Sequence, residues 1–313
     1  TPFDWKNQSV LVTGADGFVG RRLTADLAER GARVCALVWT REPSQDQSPV
    51  SWPAGVEVMK GDVCDLNALR HRIGQSAFNL VYHLAASNVN IGAGTSPYDI
   101  FETNTRGTYT LLEACRSARH PPQVILASSH EVEDCHRPGT RKFHPYMVSK
   151  ASAEWMVRTF SDTFGIPASI VRSNNIYGGG DTNWRRLIPG TLQALFRGER
   201  PSLRSDGKLL RDYVYIDDAV AAYRLIGERP NRDDAQTPVF RISTGRRISV
   251  LDIVNQLALL SGRPDLKPRV LNQSSDERED AAYAPEYEKN QLGWQAQFPL
   301  EKGLPLTCNW YKE

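Results

Sequence analysis

Apolar residues in this chain come in short β-branched clusters separated by longer stretches of helical spacing. Val10–Val12 is the first cluster, and Thr13-Gly14 ends it. Gly14, Gly17 and Gly20 then lead into Arg21–Glu29, where Leu23 and Leu27 fall on one helical face. Val34–Trp39 predicts a second strand after the stop at Gly31. Val56–Met59 predicts a third, Leu80–Leu84 a fourth, Val124–Ala127 a fifth and Ala168–Val171 a sixth. The first run, Val10–Val12, suits a strand buried on both faces of a parallel sheet. Helices are expected near Asp65–Ile73, over Pro97–Arg119 with Leu111, Leu112 and Cys115 inward, and from Pro145 through Phe160. Ser249–Leu260 reads as an amphipathic helix capped by Ser249. Glu42–Pro53 reads as a loop and Arg263–Ala284 as a surface strand and loop. The regular alternation predicts one α/β fold, a doubly wound parallel sheet, without tandem repeats.

The first turn carries chemistry. A strand, a glycine turn and a helix start form a phosphate site, because glycine lets backbone approach the ligand and unpaired helix N–H groups face its charge. The spacing here is GxxGxxG. The candidate cofactor-binding residues are Gly14, Gly17, Phe18, Val19, Gly20, Arg41, Asp62, Val63, Leu84, Ala85, Ala86, Asn104 and Lys150. The second strand runs into Trp39-Thr40-Arg41 with no carboxylate before Glu42, so Arg41 could meet the 2′-phosphate of NADP or lie on a solvated loop. Asp62 could bond an adenine amino group or cap the following helix. Ala85-Ala86 are small enough for a flat ring to lie against backbone. His83, inside an apolar run, reads as a packed core histidine.

Tyr146 and Lys150 lie four apart in YMVSKASAEWM, which sets phenol and ammonium on one helical face. A phenol is a poor base at neutral pH unless a nearby cation stabilises its anion. Ser129 stands at the carboxyl end of the fifth strand, where open α/β sheets bind ligands, and could orient the same substrate hydroxyl.

Composition narrows the class. The 313 residues carry 38 basic and 36 acidic side chains, so no global field favours nucleic acid or a membrane surface. No apolar run approaches a membrane span. Five scattered cysteines lack zinc spacing, and no metal site is expected. Reduced thiols and the absence of a signal-peptide pattern lead us to expect a cytoplasmic protein, and an opening residue other than Met suggests a trimmed or engineered N-terminus.

With TGADGFVG, GDVCD, VYHLAA, ETNTRGTYTLLEACR, LASS, PYMVSKASAE, VRSNNIYGGGD, RSDGKLLRDYVYIDD, LGW and LEKGL in place, the chain resembles the extended short-chain dehydrogenase/reductase family, in its nucleotide-sugar epimerase/dehydratase branch. The segment NNIYGGGDTNWRRLIPGTL is most similar to the group related to CDP-glucose 4,6-dehydratases. The resemblance implies a Rossmann-type sheet with a smaller C-terminal substrate-binding lobe. The dinucleotide domain would be 1–173 with 212–228 returning to it, and the nucleotide-sugar lobe 174–211 and 229–313. It implies tightly bound, recycled NAD or NADP, a nucleotide-diphosphate sugar as substrate, and a homodimer through helices Pro97–Arg119 and Pro145–Phe164. Ser129, Tyr146 and Lys150 take the family's Ser/Thr–Tyr–Lys positions. Ser87, Asn175, Arg185 and Arg211 are the substrate-binding candidates.

Members of the branch diverge after oxidation at C4. The dTDP-glucose-type dehydratases place Asp-Glu after the catalytic Thr, and the CDP-glucose type places Asp-Lys. Here those positions hold His130 and Glu131, and Glu133 stands where relatives usually carry Tyr. Glu131 can serve as the C5 base and His130 as the acid for the leaving hydroxyl. The expected reaction is therefore 4,6-dehydration. The alternatives are a 4-epimerase, then a UDP-glucuronate decarboxylase or a 4-ketosugar reductase. A nucleotide-binding scaffold without turnover is the reading from outside the enzymes, and the intact Ser129, Tyr146 and Lys150 argue against it.

Overall fold

The expected strands form one twisted layer in the computed structural model, which describes residues 3–39, 51–87, 96–136, 143–229, 236–273, 279–280 and 283–313. The strands are β1 (Ser9–Thr13), β2 (Arg33–Val38), β3 (Val56–Lys60), β4 (Leu80–His83), β5 (Gln123–Ser129) and β6 (Ala168–Ser173). Strand order is β3-β2-β1-β4-β5-β6, with Val239–Ile242 added beyond β6. β2 pairs in parallel with β3 and β1, and β4 with β1 and β5. The order reverses between β1 and β4, the place where such sheets leave a crevice for ligands. Burial explains the apolar runs, since every residue of β1 and β4 is buried.

Helices α1 (Phe18–Glu29), α2 (Leu66–Ser76), α3 (Pro97–Phe101), α4 (Gly107–Arg116), α5 (Val132–Cys135) and α6 (Pro145–Phe164) accompany these strands. Leu23 and Leu27 of α1, Leu111, Leu112 and Cys115 of α4, and Val157 of α6 are buried, as their spacing requires.

The helix expected over Pro97–Arg119 is interrupted. Glu102–Arg106 is a π-helical turn joining α3 to α4, and the helix ends at Arg116. The turn places Asn104 in the interior, and π turns of this kind cluster at functional sites. β5 also runs further than its apolar stretch, so Ser128 and Ser129 are strand residues held by the sheet. Asp65 caps α2 by accepting the Ala68 N–H, whereas Asp62 closes a turn on the Cys64 N–H.

The chain divides into two compact units, 1–172 with 220–240, and 173–219 with 241–313. The sequence predicts that 212–228 returns to the first. In the structure, strand Leu210–Tyr215 belongs to the second unit's sheet, and Val220–Phe240 belongs to the first unit. That second sheet orders Arg247–Ser249, Leu210–Tyr215 and Asn175–Tyr177. Ser249 caps the helix Val250–Leu260. Buried Asp218 accepts the Gln297 and Phe298 N–H groups while its carbonyl accepts the Trp294 indole N–H.

Candidate active site

The glycine turn after β1 is built to tolerance. Gly14 has φ +65°, and a Cβ there would lie 2.7 Å from the Ala85 backbone. A Cβ on Gly20 would lie 2.1 Å from the Gly14 carbonyl oxygen. Gly17 caps α1 without a side-chain bond, so the amides of the first turn at Phe18, Val19 and Gly20 receive no capping acceptor. These features fit a dinucleotide, whose diphosphate would take up those N–H groups. Arg41 lies outside the described residues.

Beside this turn a single chain of hydrogen bonds ties four segments together. The Ala85 N–H reaches Thr13 Oγ at 3.2 Å, and Thr13 Oγ lies 2.8 Å from His83 Nδ1. His83 Nε2 lies 3.0 Å from Thr108 Oγ, and Thr108 Oγ donates to the Asn104 carbonyl at 2.6 Å. Reading donors from both ends gives one solution, in which Thr13 donates to Nδ1 and Nε2–H donates to Thr108. Burial and the nearby Lys150 charge hold the His83 pKa down to about 3, so the imidazole is neutral.

Asn104, expected to touch cofactor, is occupied by protein. Its Oδ1 accepts the Ser87 N–H at 2.7 Å, and its Nδ2 donates to the Ser87 carbonyl and to Ser149 Oγ. It braces the segment Leu84–Ser87 against α6. Val63 is buried against Gly107, where a Cβ would come 2.6 Å from its Cγ1.

On α6, Lys150 is buried and its Nζ donates to the Ala127 carbonyl of β5 at 2.9 Å. The ammonium lies 5.8 Å from the centre of the Tyr146 ring. Burial lowers the Lys150 pKa to about 8, against the raising effect of Glu154 one turn further along. Buried Ser129 accepts the Glu131 N–H on its Oγ at 3.3 Å. His130, half-buried, opens the turn into α5, its carbonyl accepting the Glu133 N–H.

Two groups of charges beneath and beside this face were not legible as functional. Arg172 on β6 forks onto Glu154 at 2.8 and 2.5 Å and also pairs with Glu133, while Ser128 Oγ donates to Glu154. Glu154 follows Lys150 by one helical turn, which is the only signal the sequence offered for it. His144 caps α6, accepting the Met147 N–H on Nδ1, and its Nε2 lies 3.6 Å from Glu131 Oε2.

In the second unit, buried Asp280 gathers two of the expected substrate residues. It accepts from Asn175 Nδ2 at 2.8 Å and pairs with Arg211 Nη1 at 2.9 Å. Arg185 is exposed, its N–H donating to Asn183 Oδ1.

The family described as NAD dependent epimerase/dehydratase matches residues 10–242. A trifunctional UDP-glucose 4,6-dehydratase/UDP-4-keto-6-deoxy-D-glucose 3,5-epimerase/UDP-4-keto-L-rhamnose-reductase of Arabidopsis thaliana is 26% identical, the match covering 99% of this chain and 48% of that protein. The chain thus spans about half the length of that Arabidopsis relative. A dTDP-4-dehydro-6-deoxy-D-allose reductase of Streptomyces bikiniensis is 28% identical over 83% of each chain. Among solved structures, a dTDP-glucose 4,6-dehydratase from Streptomyces venezuelae with NAD and TYD bound superposes with a TM-score of 0.84 at 23% identity, covering 97% of each chain. Among the described residues, no cluster of His, Cys, Asp or Glu could hold a metal ion and no helix is long and apolar enough to cross a membrane.

Proposed function

Because the chain belongs to the NAD dependent epimerase/dehydratase family, we propose that it oxidises a nucleotide-diphosphate hexose transiently at C4 and then removes water across C5 and C6. The observation that carries this reading is α6, which presents Tyr146 and the anchored Lys150 on one face behind Ser129, with Glu131 two residues beyond.

NAD, which the similar Streptomyces venezuelae structure holds, is the cofactor that this reading takes. Gly14, Gly17 and Gly20 with the first turn of α1 would hold its diphosphate. Bound there, it would supply the hydride acceptor for C4 and the hydride donor for C6. Tyr146, as phenolate beside Lys150, takes the proton of the C4 hydroxyl, and Ser129 orients that hydroxyl. The ketone then acidifies the C5 proton, which Glu131 removes. The electrons of the C5–H bond form the C5–C6 double bond, and the C6 hydroxyl leaves as water with a proton from His130. Proton return from Glu131 to C5 completes the product. Asn175 and Arg211, with Ser87 and Arg185, are assigned to the nucleotide sugar, and the second unit is the substrate lobe.

Five free thiols suit a reducing cytoplasm. Tyr98, Phe101, Tyr109, Trp155 and Phe164 expose aromatic surface on α3, α4 and α6, which supports a homodimer through these helices. Sedimentation showing only monomer at micromolar concentration would reject that contact.

Mass spectrometry after separate incubation with CDP-glucose, UDP-glucose, dTDP-glucose and UDP-glucuronate, plus catalytic NAD, tests the reaction. Loss of one water from one substrate is the expected result. Loss of carbon dioxide from UDP-glucuronate makes the protein a decarboxylase, and an isomer of unchanged mass makes it an epimerase.

A further inference from the structure

The Glu131 carboxylate lacks a hydrogen bond where one is needed. Its Oε2 is shielded from solvent yet makes none. The group nearest in chemistry is His144 Nε2, 3.6 Å away at the N-cap of α6. That distance suits a pair that tightens when substrate arrives, or one bridged by water.

The helix decides which nitrogen of His144 carries the proton. Nδ1 accepts the Met147 N–H at 3.3 Å, so a neutral imidazole has its proton on Nε2, the nitrogen facing Glu131. The ring is also parallel to that of Tyr146, 5° between planes and 6.3 Å between centres. Carboxylate, imidazole and phenol therefore follow one another along one edge of the first unit. The side chains of His144 and Glu131 are 47% and 37% exposed, open enough for a ligand to reach.

We propose that His144 is the positioning residue for Glu131, its Nε2–H holding the carboxylate in place as the acceptor of the C5 proton. This rests on the dehydration reading above. In the step concerned, the C5 proton passes to a Glu131 oxygen while the C5–H electrons form the double bond that expels the C6 oxygen as water. A donor fixed on the carboxylate constrains where the proton lands.

Two variants separate this role from the helix cap. His144→Asn keeps a side-chain acceptor suited to the cap position but is too short to reach Glu131. His144→Gln offers a longer amide donor. With full-length protein, NAD and whichever of CDP-, UDP- or dTDP-glucose the wild type converts, product formed in deuterium oxide reports proton exchange at C5. The expected result is a roughly tenfold or larger fall in kcat for C5 exchange in His144→Asn. KM and melting temperature should stay unchanged, reduced cofactor should accumulate, and His144→Gln should recover part of the rate.

Nitrogen-15 NMR of the substrate-free protein gives a second reading. His144 should show the Nε2–H tautomer, and Glu131→Gln should shift its Nε2 resonance. Among the described residues, the Glu131 carboxylate and the Tyr146 ring are set against this imidazole. C5 exchange at the wild-type rate in His144→Asn, or a His144 Nε2 resonance unmoved by Glu131→Gln, overturns the assignment. Wild-type protein that converts none of the sugars, while its His144 Nε2 resonance still responds to Glu131→Gln, strikes out dehydration and leaves the pairing standing.

Discussion

Thr13 Oγ lies 2.8 Å from His83 Nδ1, and this contact joins the strand before the glycine turn to the strand before Ala85. The histidine is buried with its pKa held down to about 3, against an ordinary value near 6.5. Above pH 6.5 it is neutral in both folded and unfolded chains. As pH falls from 6.5 toward 3, the unfolded chain takes up the proton and the folded chain does not, so stability is lost. Urea unfolding at pH 7, 6 and 5 should show a slope from this group approaching ~1.4 kcal/mol per unit. His83→Gln should flatten that slope. An equal slope in both proteins would mean that His83 is not the group responsible.

Tyr146→Phe removes only the hydroxyl, and the ring keeps its place on α6. Oxidation at C4, followed as the appearance of reduced cofactor, should fall by roughly 10²–10⁴-fold, with little change in melting temperature. Oxidation within a few-fold of wild type would remove Tyr146 from its assigned role.

Lys150 titrates near pH 8, and loss of its charge withdraws support from the Tyr146 phenolate. The kcat/KM profile should therefore decline as pH rises through about 8. Glu154 is the charge that raises this pKa, so Glu154→Gln should move the alkaline limb to lower pH. A limb that stays in place would show that another group sets it.

Arg172 satisfies two carboxylates, Glu133 and Glu154, with its own side chain 8% exposed. Arg172→Met would leave both carboxylates without their cation, a class of change that costs about 3–5 kcal/mol. Denaturant melts should show a loss of that order, and adding Glu133→Gln with Glu154→Gln should restore part of it. A neutral Arg172→Met would contradict the network.

Gly20→Ala places a methyl group where the Gly14 carbonyl oxygen already sits. The turn must open to admit it, so NAD should bind more weakly by calorimetry while the sheet still melts cooperatively. Unchanged affinity would exclude this turn as the diphosphate site.

The sequence alone determined the sheet and the glycine turn, for a physical reason. Val10–Val12, the glycines at 14, 17 and 20, and Leu23 and Leu27 each state a local requirement: burial on two faces, close backbone approach, or one buried helical side. The same holds for Tyr146 and Lys150, whose spacing on one helix fixes their shared face. Tertiary structure decided what happens between distant positions. Asn104 was legible only as a cofactor-binding candidate, and the π turn shows that Ser87 and Ser149 use its amide. Glu133 was legible as a departure from the usual Tyr, but its partner Arg172 lies 39 residues away. Asp280 stands 105 residues from Asn175 and 69 from Arg211, and only the fold joins them. Local periodicity specifies elements because it acts through neighbouring residues. The pairing of a buried charge or the proton position on His144 depends on which strands and helices come to lie side by side, and the chain carries no short-range record of that.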